Sequence, residues 1–155
     1  MTPSQRILAF AALATVSACH AGARPDAVPA PAAPEAAVQA FLTAVDSNAV
    51  DRMAALWGTD RGPSTVVIRN AQEREQRLVI MQRLLQHDAY RIVPDPGSPR
   101  PKPGRHMLFV ELQRGGTRTV VPFTLVGQRS GGWLVEDIGL DVLMPTATPR
   151  RPGTP

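Results

Sequence analysis

The sequence contains a single cysteine, Cys19, and this scarcity limits the kinds of protein that it can encode. One cysteine cannot form a disulfide within the chain, which excludes a small disulfide-stabilised scaffold. Aromatic residues make up only 5% of the chain, so aliphatic side chains must fill most of the core. The apolar run Ile7–Val16 is ten residues long. A membrane-spanning helix needs about 20 apolar residues, so this run is too short for a retained span.

The motifs that hold cofactors, phosphates and metals are also lacking. The sequence has no Gly-rich phosphate-binding loop, and no pair of His, Cys, Asp or Glu has the spacing of metal ligands. A Ser/His/Asp arrangement for nucleophilic catalysis cannot be identified either. We therefore expect no cofactor and no metal.

The part of the chain that is expected to fold has almost no net positive charge. The formal net charge is +4, but between Glu35 and Met144 there are 13 basic residues (12 Arg and Lys102) and 12 acidic ones, a balance of +1. A nucleic-acid surface needs clustered Lys and Arg on the fold itself. We therefore expect no nucleic-acid partner.

The N-terminus has the features of an export signal followed by a lipid anchor. Met1–Arg6 carries one positive charge and precedes the apolar run, which is the order of a signal peptide. Val16-Ser17-Ala18-Cys19 then resembles the lipobox of bacterial lipoproteins. The resemblance implies cleavage before Cys19, a diacylglyceryl group on its thiol and often a further acyl chain such as palmitate on its amine. The alternative is a plain secretory signal in which Cys19 falls near the cleavage site.

This resemblance also implies a location and a division of the chain. The mature protein would be anchored by lipid in the bacterial cell envelope, and His20 after the cysteine fits an outer membrane, facing the periplasm, where the bacterium has two membranes. The predicted segments are the signal peptide 1–18, the lipidated cysteine and Ala/Pro-rich tether 19–34, a domain 35–144 and a disordered Pro-rich tail 145–155. Pro-rich chain extends by about 3.1 Å per residue, so a free tether of this length reaches about 45 Å.

Two amphipathic helices are expected at the start of the domain. Pro34 and Glu35 favour a helix start, because proline is tolerated at the first position and an early carboxylate suits the helix dipole. Apolar residues then recur with helical spacing at Val38, Phe41, Leu42 and Val45. Asn48 can cap a shorter second helix, whose apolar side holds Val50, Met53, Ala54 and Trp57.

A short strand and the longest helix follow. The β-branched run Thr65–Ile68 favours a strand. Asn70 and Glu73 have the spacing of a capping box, which predicts a helix that continues to about Gln86. Its wide apolar side is expected to hold Leu78, Ile80, Met81, Leu84 and Leu85.

The last third of the domain has the alternating pattern of an antiparallel sheet. Tyr90–Val93 predicts a strand, and the Pro-rich residues 94–105 predict a long loop. Three further strands are expected to form a meander with turns at Gly115-Gly116 and Ser130-Gly131. Their predicted bounds are His106–Arg114, Thr117–Gln128 and Trp133–Leu140.

Two-residue turns at both positions fix how these strands pair. Val110 then faces Val121, Leu108 faces Phe123, Phe123 faces Ile138, and Val121 faces Leu140. The register gives one apolar face, expected to pack on the helices: Leu108, Val110, Leu112, Val121, Phe123, Leu125, Leu134, Ile138 and Leu140. Pro122 lies on the opposite face, where its missing N–H predicts a bulge or a local loss of pairing.

The second face of the meander is more apolar than a sheet facing water should be. It is expected to hold Met107, Phe109, Val120, Pro122, Val126, Trp133 and Val135, with Glu111, Thr124 and Asp137 among them. Such a face predicts contact with a homodimer partner or with another envelope protein.

The predicted fold class is α+β. The order of helices and strands, the first helix with Phe41-Leu42, and the last strand starting at Gly132-Trp133-Leu134-Val135 resemble the nuclear-transport-factor-2-like superfamily, which includes ketosteroid isomerase and SnoaL-like proteins. The resemblance covers roughly residues 35–142. It implies a cone-like, mostly antiparallel curved sheet packed on the N-terminal helices, with a pocket between them. A cystatin-like fold is the alternative.

Four residues are candidates for lining that pocket: Tyr90, His106, Phe123 and Glu136. In the predicted register His106, Leu125 and Glu136 share one row, which would place His106 and Glu136 about 10 Å apart. A carboxylate on an apolar wall tends to have a raised pKa and can act as a general acid or base. The alternative is that both residues lie at strand ends and face water, so no catalytic residue is assigned.

The sequence thus favours an envelope-anchored lipoprotein whose domain binds a small apolar ligand or a protein partner without catalysis. One alternative is a ketosteroid-isomerase-like isomerase or dehydratase that uses Glu136 or His106. The other is a structural subunit of an envelope or secretion complex.

Overall fold

The computed structural model describes residues 29–98 and 100–144. The signal peptide 1–18, Cys19, the first part of the tether and the tail 145–155 lie outside the described residues. Their assignments therefore stay predictions.

Four α-helices and a short 3₁₀ helix form the helical part of the domain. The first helix starts at the expected proline. A short helix also occupies the run that was predicted as a strand. The bounds are α1 Pro34–Asp46, α2 Val50–Leu56, α3 Ser64–Val67, α4 Ala71–Leu85 and the 3₁₀ helix Leu140–Leu143.

The strands form a two-stranded hairpin and a four-stranded antiparallel sheet of order β3-β4-β5-β6. The chain is therefore α+β, with the helices preceding the sheet, as predicted. The bounds are β1 Gly58–Thr59, β2 Gly62–Pro63, β3 Ala89–Val93, β4 Arg105–Arg114, β5 Thr117–Gly127 and β6 Trp133–Ile138.

The core lies between one face of the sheet and the helices. Phe41 of α1 and Phe123 of β5 are the largest fully buried side chains, and aliphatic residues surround them, as the low aromatic content requires. The expected apolar positions of α1 are all fully buried: Val38, Phe41, Leu42 and Val45. The confirmed core positions of the sheet are Leu108, Val110, Leu112, Val121, Phe123, Leu125 and Ile138.

The pairing of β4 with β5 is the predicted one. Val110 lies opposite Val121 and Leu108 opposite Phe123, and Arg114 pairs with Thr117 across the two-residue turn. Both turn glycines have positive φ, 52° at Gly115 and 84° at Gly116, which matches the turn type that the twist of a hairpin favours.

The pairing of β5 with β6 differs from the prediction near its turn. Gly127 pairs with Trp133, so five residues, Gln128–Gly132, connect the strands instead of two. A β-bulge between Thr124 and Leu125 then shifts the register by one residue, because Leu125 lies opposite Val135 while Thr124 lies opposite Asp137. Beyond the bulge Phe123 faces Ile138 as predicted.

The bulge exchanges the faces of three residues. Val135, expected on the outer face, belongs to the core, and Trp133 packs against the core. Leu134 was expected in the core between sheet and helices; it is buried, but it does not belong to that core. A one-residue shift has this effect because successive side chains of a strand point to opposite faces. On the β4 side the bulge or loss of pairing expected at Pro122 is wrong, since Pro122 stays paired with Phe109. On the β6 side the ladder includes Phe123 but not Pro122, and Leu140 lies in the 3₁₀ helix, not opposite Val121.

Two helical expectations are also corrected. Thr65–Ile68 was predicted as a strand from its β-branched residues, but Ser64–Val67 forms one helical turn, because tertiary contacts override this weak propensity. In α4 the buried residues are Leu78, Met81, Gln82 and Leu85, and Ile80 is 59% exposed. Gln82 replaces Ile80 on the inner side because its amide donates to Asn48 Oδ1 at 2.6 Å.

Asn48 serves the fold in a different way from the one expected. It does not cap α2, whose N-cap is Ala49. It has a φ of 53°, the left-handed conformation that asparagine tolerates better than most residues, and it accepts the bond from Gln82. By contrast, one half of the capping box predicted for Asn70 and Glu73 is confirmed, since Asn70 Oδ1 accepts from the Glu73 backbone N–H at 3.1 Å. The Glu73 side chain accepts from Arg77 instead of from the Asn70 backbone.

Arg114 joins the tip of the β4–β5 hairpin to the C-terminus of α4. Its guanidinium donates to the carbonyl oxygens of Arg83 at 3.0 Å, Leu84 at 2.9 Å and Gln86 at 2.5 Å. The last carbonyls of a helix have no partners within the helix and carry the negative end of its dipole. One side chain therefore satisfies three of these groups and fixes the helix against the sheet.

We expect Arg114→Ala to lower the free energy of unfolding by roughly 1–2 kcal/mol, because three charge-assisted hydrogen bonds are lost from a solvent-exposed site. Urea unfolding measures the change. Arg118→Ala, on the same hairpin but without a bond to α4, is the control and should cost less. Equal costs for the two variants would contradict the role of Arg114 as a helix cap.

Candidate functional site

The structure does not bring the four predicted pocket residues into one cavity. Phe123 is fully buried in the core, and Tyr90 lies half-buried on the edge strand β3. His106 is exposed, and its ring centroid lies 6.1 Å from that of Trp133. Glu136 is the extra residue of the bulge, so it does not share a row with His106 and Leu125. Glu136 and Tyr90 line two different grooves, and the pocket expected on the core face stays a prediction.

Glu136 forms an ion pair with Arg105 that sequence reasoning missed. Arg105 Nε and Nη2 donate to the two carboxylate oxygens of Glu136, each at 2.6 Å. The two side chains are only 28% and 19% exposed, and two parallel bonds of this kind give a rigid geometry. The hydrogen bond and charge of Glu136 raise the pKa of the Arg105 guanidinium, and the charge of Asp60 adds a smaller increase.

This ion pair lies at one side of an open groove of about 540 Å³, within the range of small-molecule sites. The groove runs between the edge of β6, the β1–β2 hairpin, α3 and the second turn of α4. Its walls combine an aromatic ring, two aliphatic side chains, three guanidinium groups and two carboxylates. Among its lining residues are Trp57, Asp60, Arg61, Ser64, Val67, Ile68, Arg77, Arg105 and Glu136.

Tight backbone contacts hold the floor of the groove. Trp57 bridges in parallel to Val135, which attaches the hairpin segment to the edge of the sheet. Ser64 is fully buried, and its hydroxyl donates to the Ala54 carbonyl oxygen at 2.7 Å. A Cβ at Gly58 would lie 2.3 Å from the Gly62 carbonyl oxygen, so only glycine fits there. These contacts fix the positions of Trp57, Gly58 and Ser64, which line the groove.

The three arginines of the groove differ in whether a carboxylate pairs with them. Arg105 is held by Glu136, and Arg77 pairs with Glu73 at 2.5 Å on the surface of α4. Arg61 is exposed, and within residues 29–98 and 100–144 it forms no salt bridge. Arg61 is therefore the cation with the most freedom to meet a ligand. Trp57 next to the Asp60-Arg61 loop is the sequence signal that could have indicated this site.

A smaller groove of about 230 Å³ lies at the other edge of the sheet, beside Tyr90. Arg91 Nε and Nη2 donate to the Glu111 carboxylate at 2.9 and 3.0 Å, and Arg118 lies 3.9 Å away. The hydrogen bond from Arg91 lowers the pKa of Glu111, with smaller contributions from the charges of Arg91 and Arg118. This cross-strand network is a stabilising feature of β3 and β4.

His87 forms a third polar cluster, at the junction of α4 and β3. Its side chain is only 2% exposed, and Nδ1 lies 2.9 Å from the Leu85 carbonyl oxygen and 3.5 Å from Asp46 Oδ1. Its ring packs edge-on against Tyr90 at 5.3 Å between centroids. The cluster ties α1, α4 and β3 together, which agrees with a structural role for this histidine.

The described part of the chain contains no group of three His, Cys, Asp or Glu residues that could hold a metal ion. None of its helices is long and apolar enough to cross a membrane. Comparison with protein-family models, curated proteins and solved structures found no match to this chain.

The Arg91–Glu111 pair makes a testable contribution to the pH dependence of stability. Because the pKa of Glu111 is lowered in the folded state, its contribution is full above the ordinary glutamate pKa of about 4.3 and is lost as the pH falls through the folded-state value. We expect Glu111→Gln to be less stable than the wild type at neutral pH, with a difference that shrinks on acidification.

Chemical denaturation at a series of pH values measures this difference. Glu75→Gln, which changes a glutamate outside the salt bridges of the described residues, is the control and should show a flat difference. A Glu111→Gln difference that stays constant between neutral and acidic pH would contradict the assigned pair.

Proposed function

We propose that this chain is a lipid-anchored protein of the bacterial cell envelope whose domain binds a small ligand without turning it over. The anchor rests on Val16-Ser17-Ala18-Cys19, which resembles a lipobox after a signal-peptide pattern. The binding function rests on one observation, the open groove of about 540 Å³ beside Trp57 and Arg61. Palmitate on the N-terminal amine and an outer-membrane location belong to the same proposal.

The finer fold proposed for the domain is nuclear-transport-factor-2-like. Support comes from the order of elements, in which two helices and a long helix precede an edge strand and a three-stranded meander. Further support comes from the packing of α1, through Phe41 and Leu42, against the face of the sheet that carries Phe123. A cystatin-like fold shares the α+β class and remains the alternative.

The lining of the groove indicates the chemical class of ligand. Trp57, Val67 and Ile68 offer an apolar wall on which a flat or aliphatic group can pack. Arg61 offers a guanidinium that suits a carboxylate or phosphate oxygen. We therefore propose a ligand that has an apolar body and one negatively charged group.

The two alternative functions receive less support from the geometry. For an isomerase or dehydratase using Glu136 or His106, the geometry is less favourable. Each carboxylate oxygen of Glu136 already accepts a hydrogen bond from Arg105, and His106 is exposed. The outer face of the sheet was expected to support a homodimer or an envelope complex. On that face Phe109 and Val126 are buried and Val120 is 40% exposed, so it offers less apolar surface than expected.

We expect Cys19→Ser to remove the protein from the membrane fraction, because the thiol that would carry the diacylglyceryl group is absent and two or three acyl chains supply the proposed anchor. Fractionation of cells expressing the full chain, with metabolic labelling by a fatty-acid analogue, measures both location and lipid. Ser17→Thr keeps the cysteine and is the control. A labelled or membrane-bound Cys19→Ser protein would refute the anchor.

The ligand class is tested with aromatic carboxylates and their neutral amides as probes, followed by tryptophan fluorescence. The carboxylates should bind more tightly than the amides, and Arg61→Gln should weaken them by roughly tenfold, since a charge-assisted hydrogen bond contributes about 1.5–3 kcal/mol. Arg69→Gln, just outside the groove, should leave binding unchanged. Equal binding of acids and amides would reject the anionic ligand.

A further inference from the structure

The end of the tether is docked on one end of the domain. The Trp133 backbone N–H donates to the Pro31 carbonyl oxygen at 2.8 Å. A Cβ at Gly132 would lie 2.6 Å from the Ala30 carbonyl oxygen, so the two segments are in close contact. Residues 29–33 therefore do not belong to a free spacer, as the sequence had suggested.

This docking limits the distance that can separate the predicted anchor from the domain. From Cys19 to Pro29 there are ten residues, which reach about 31 Å in an extended Pro-rich conformation and at most about 36 Å when stretched. That length is below the 45 Å expected for the whole tether. If Cys19 carries the proposed anchor, the surface beside Ala30 and Pro31 stays within about 36 Å of the membrane.

Hydrogen bonds define which segments share this position. The amide of Gln128 donates to the Thr59 carbonyl oxygen at 2.6 Å, which joins the β5–β6 loop to the β1–β2 hairpin. The Gly127 backbone N–H donates to the Gly104 carbonyl oxygen at 3.3 Å, which adds the end of the Pro-rich loop before β4. We call this surface the tether end; its segments are 30–31, 59–61, 102–105 and 128–132.

The tether end carries an excess of positive charge. Its bases are Arg61, Lys102 and Arg129, all exposed, and the partly buried Arg105; its acids are Asp60 and the adjoining Glu136. This surface therefore has four basic residues and two acidic ones. At the opposite end of the sheet, around the β4–β5 hairpin and the C-terminus of α4, three bases meet three acids: Arg83, Arg114 and Arg118 with Asp46, Asp88 and Asp141.

We propose that the tether end is a docking surface for the membrane that holds the anchor, with its exposed bases on anionic phospholipid headgroups. The proposal rests on the proposed lipid anchor, which brings this surface to within the reach of a short chain. Basic residues close to an anionic bilayer are attracted to it over about one Debye length, roughly 8–10 Å. A basic patch also strengthens anchoring by acyl chains.

Docking in this orientation has a consequence for the groove. Asp60, Arg61 and Arg105 belong both to the groove and to the tether end. The mouth of the groove would then lie beside the headgroup layer, where amphiphilic molecules with an apolar body and an anionic group are concentrated.

The test uses the full lipidated chain, purified from membranes and reconstituted into vesicles that contain brominated lipids. Both tryptophans of the chain, Trp57 and Trp133, are half-buried next to segments of the tether end, and their quenching reports contact with the bilayer. We expect stronger quenching in vesicles of phosphatidylcholine with phosphatidylglycerol than in phosphatidylcholine alone, and loss of the difference in high salt.

A charge-reversed pair of variants makes the test specific. Arg61→Glu with Arg129→Glu should abolish the difference between the two vesicle types, since each basic residue near an anionic surface contributes about fivefold in binding. Arg83→Glu with Arg118→Glu changes the net charge equally at the opposite end and should leave the difference intact. Equal quenching in both vesicle types, or equal effects of the two pairs, would overturn the proposal.

Failure of the anchor is distinguishable from failure of the docking surface. If Cys19 is not lipidated, no labelled protein is recovered for reconstitution, and the unlipidated full chain is added to the same vesicles for flotation. Salt-sensitive flotation with anionic vesicles, lost in Arg61→Glu with Arg129→Glu, would then support the docking surface alone. Flotation that is absent, or that salt and charge reversal do not change, would reject it.

Discussion

The β-bulge in β6 is the constraint on which the candidate site depends. Two residues, Val135 and Glu136, occupy the space opposite Leu125, and this restores the register that the longer β5–β6 loop had shifted. Val135 thereby enters the core and Glu136 leaves its expected row. Bulges often lie at sheet edges and next to functional sites, where they redirect a side chain. Here the redirected side chain meets Arg105, and the resulting ion pair forms one side of the groove.

The same edge of the sheet organises the other features of this region. Trp57 bridges to Val135, which brings the β1–β2 hairpin and the Asp60-Arg61 loop against β6. Trp133, at the start of β6, holds the docked tether through Pro31. One strand therefore positions the groove, the basic loops and the point at which the chain leaves for its proposed anchor. This shared position is the physical reason to connect the proposed ligand groove with the proposed membrane-docking surface.

The local features of the chain were predictable because they depend on neighbours in sequence. Helix α1, the capping of α4 by Asn70, the two-glycine turn and the β4–β5 register all follow from periodicity and turn chemistry. The sequence-based predictions are wrong where contacts with residues far away in the chain determine the structure. Gln82 is buried because Asn48 lies against it, 34 residues earlier in the chain. Thr65–Ile68 has the composition of a strand, but its surroundings impose a helical turn.

By itself the sequence determined the α+β class, the identity of most core residues and a lipobox-like cysteine as the expected anchor. Periodicity, turn residues and short motifs carry this information because each acts over a few residues. Only the tertiary structure decided which side of β6 faces the core, that Glu136 pairs with Arg105, and that Trp57, Arg61 and Arg105 line one groove. These outcomes depend on a single-residue shift and on contacts between segments that are far apart in the chain, neither of which leaves a local pattern.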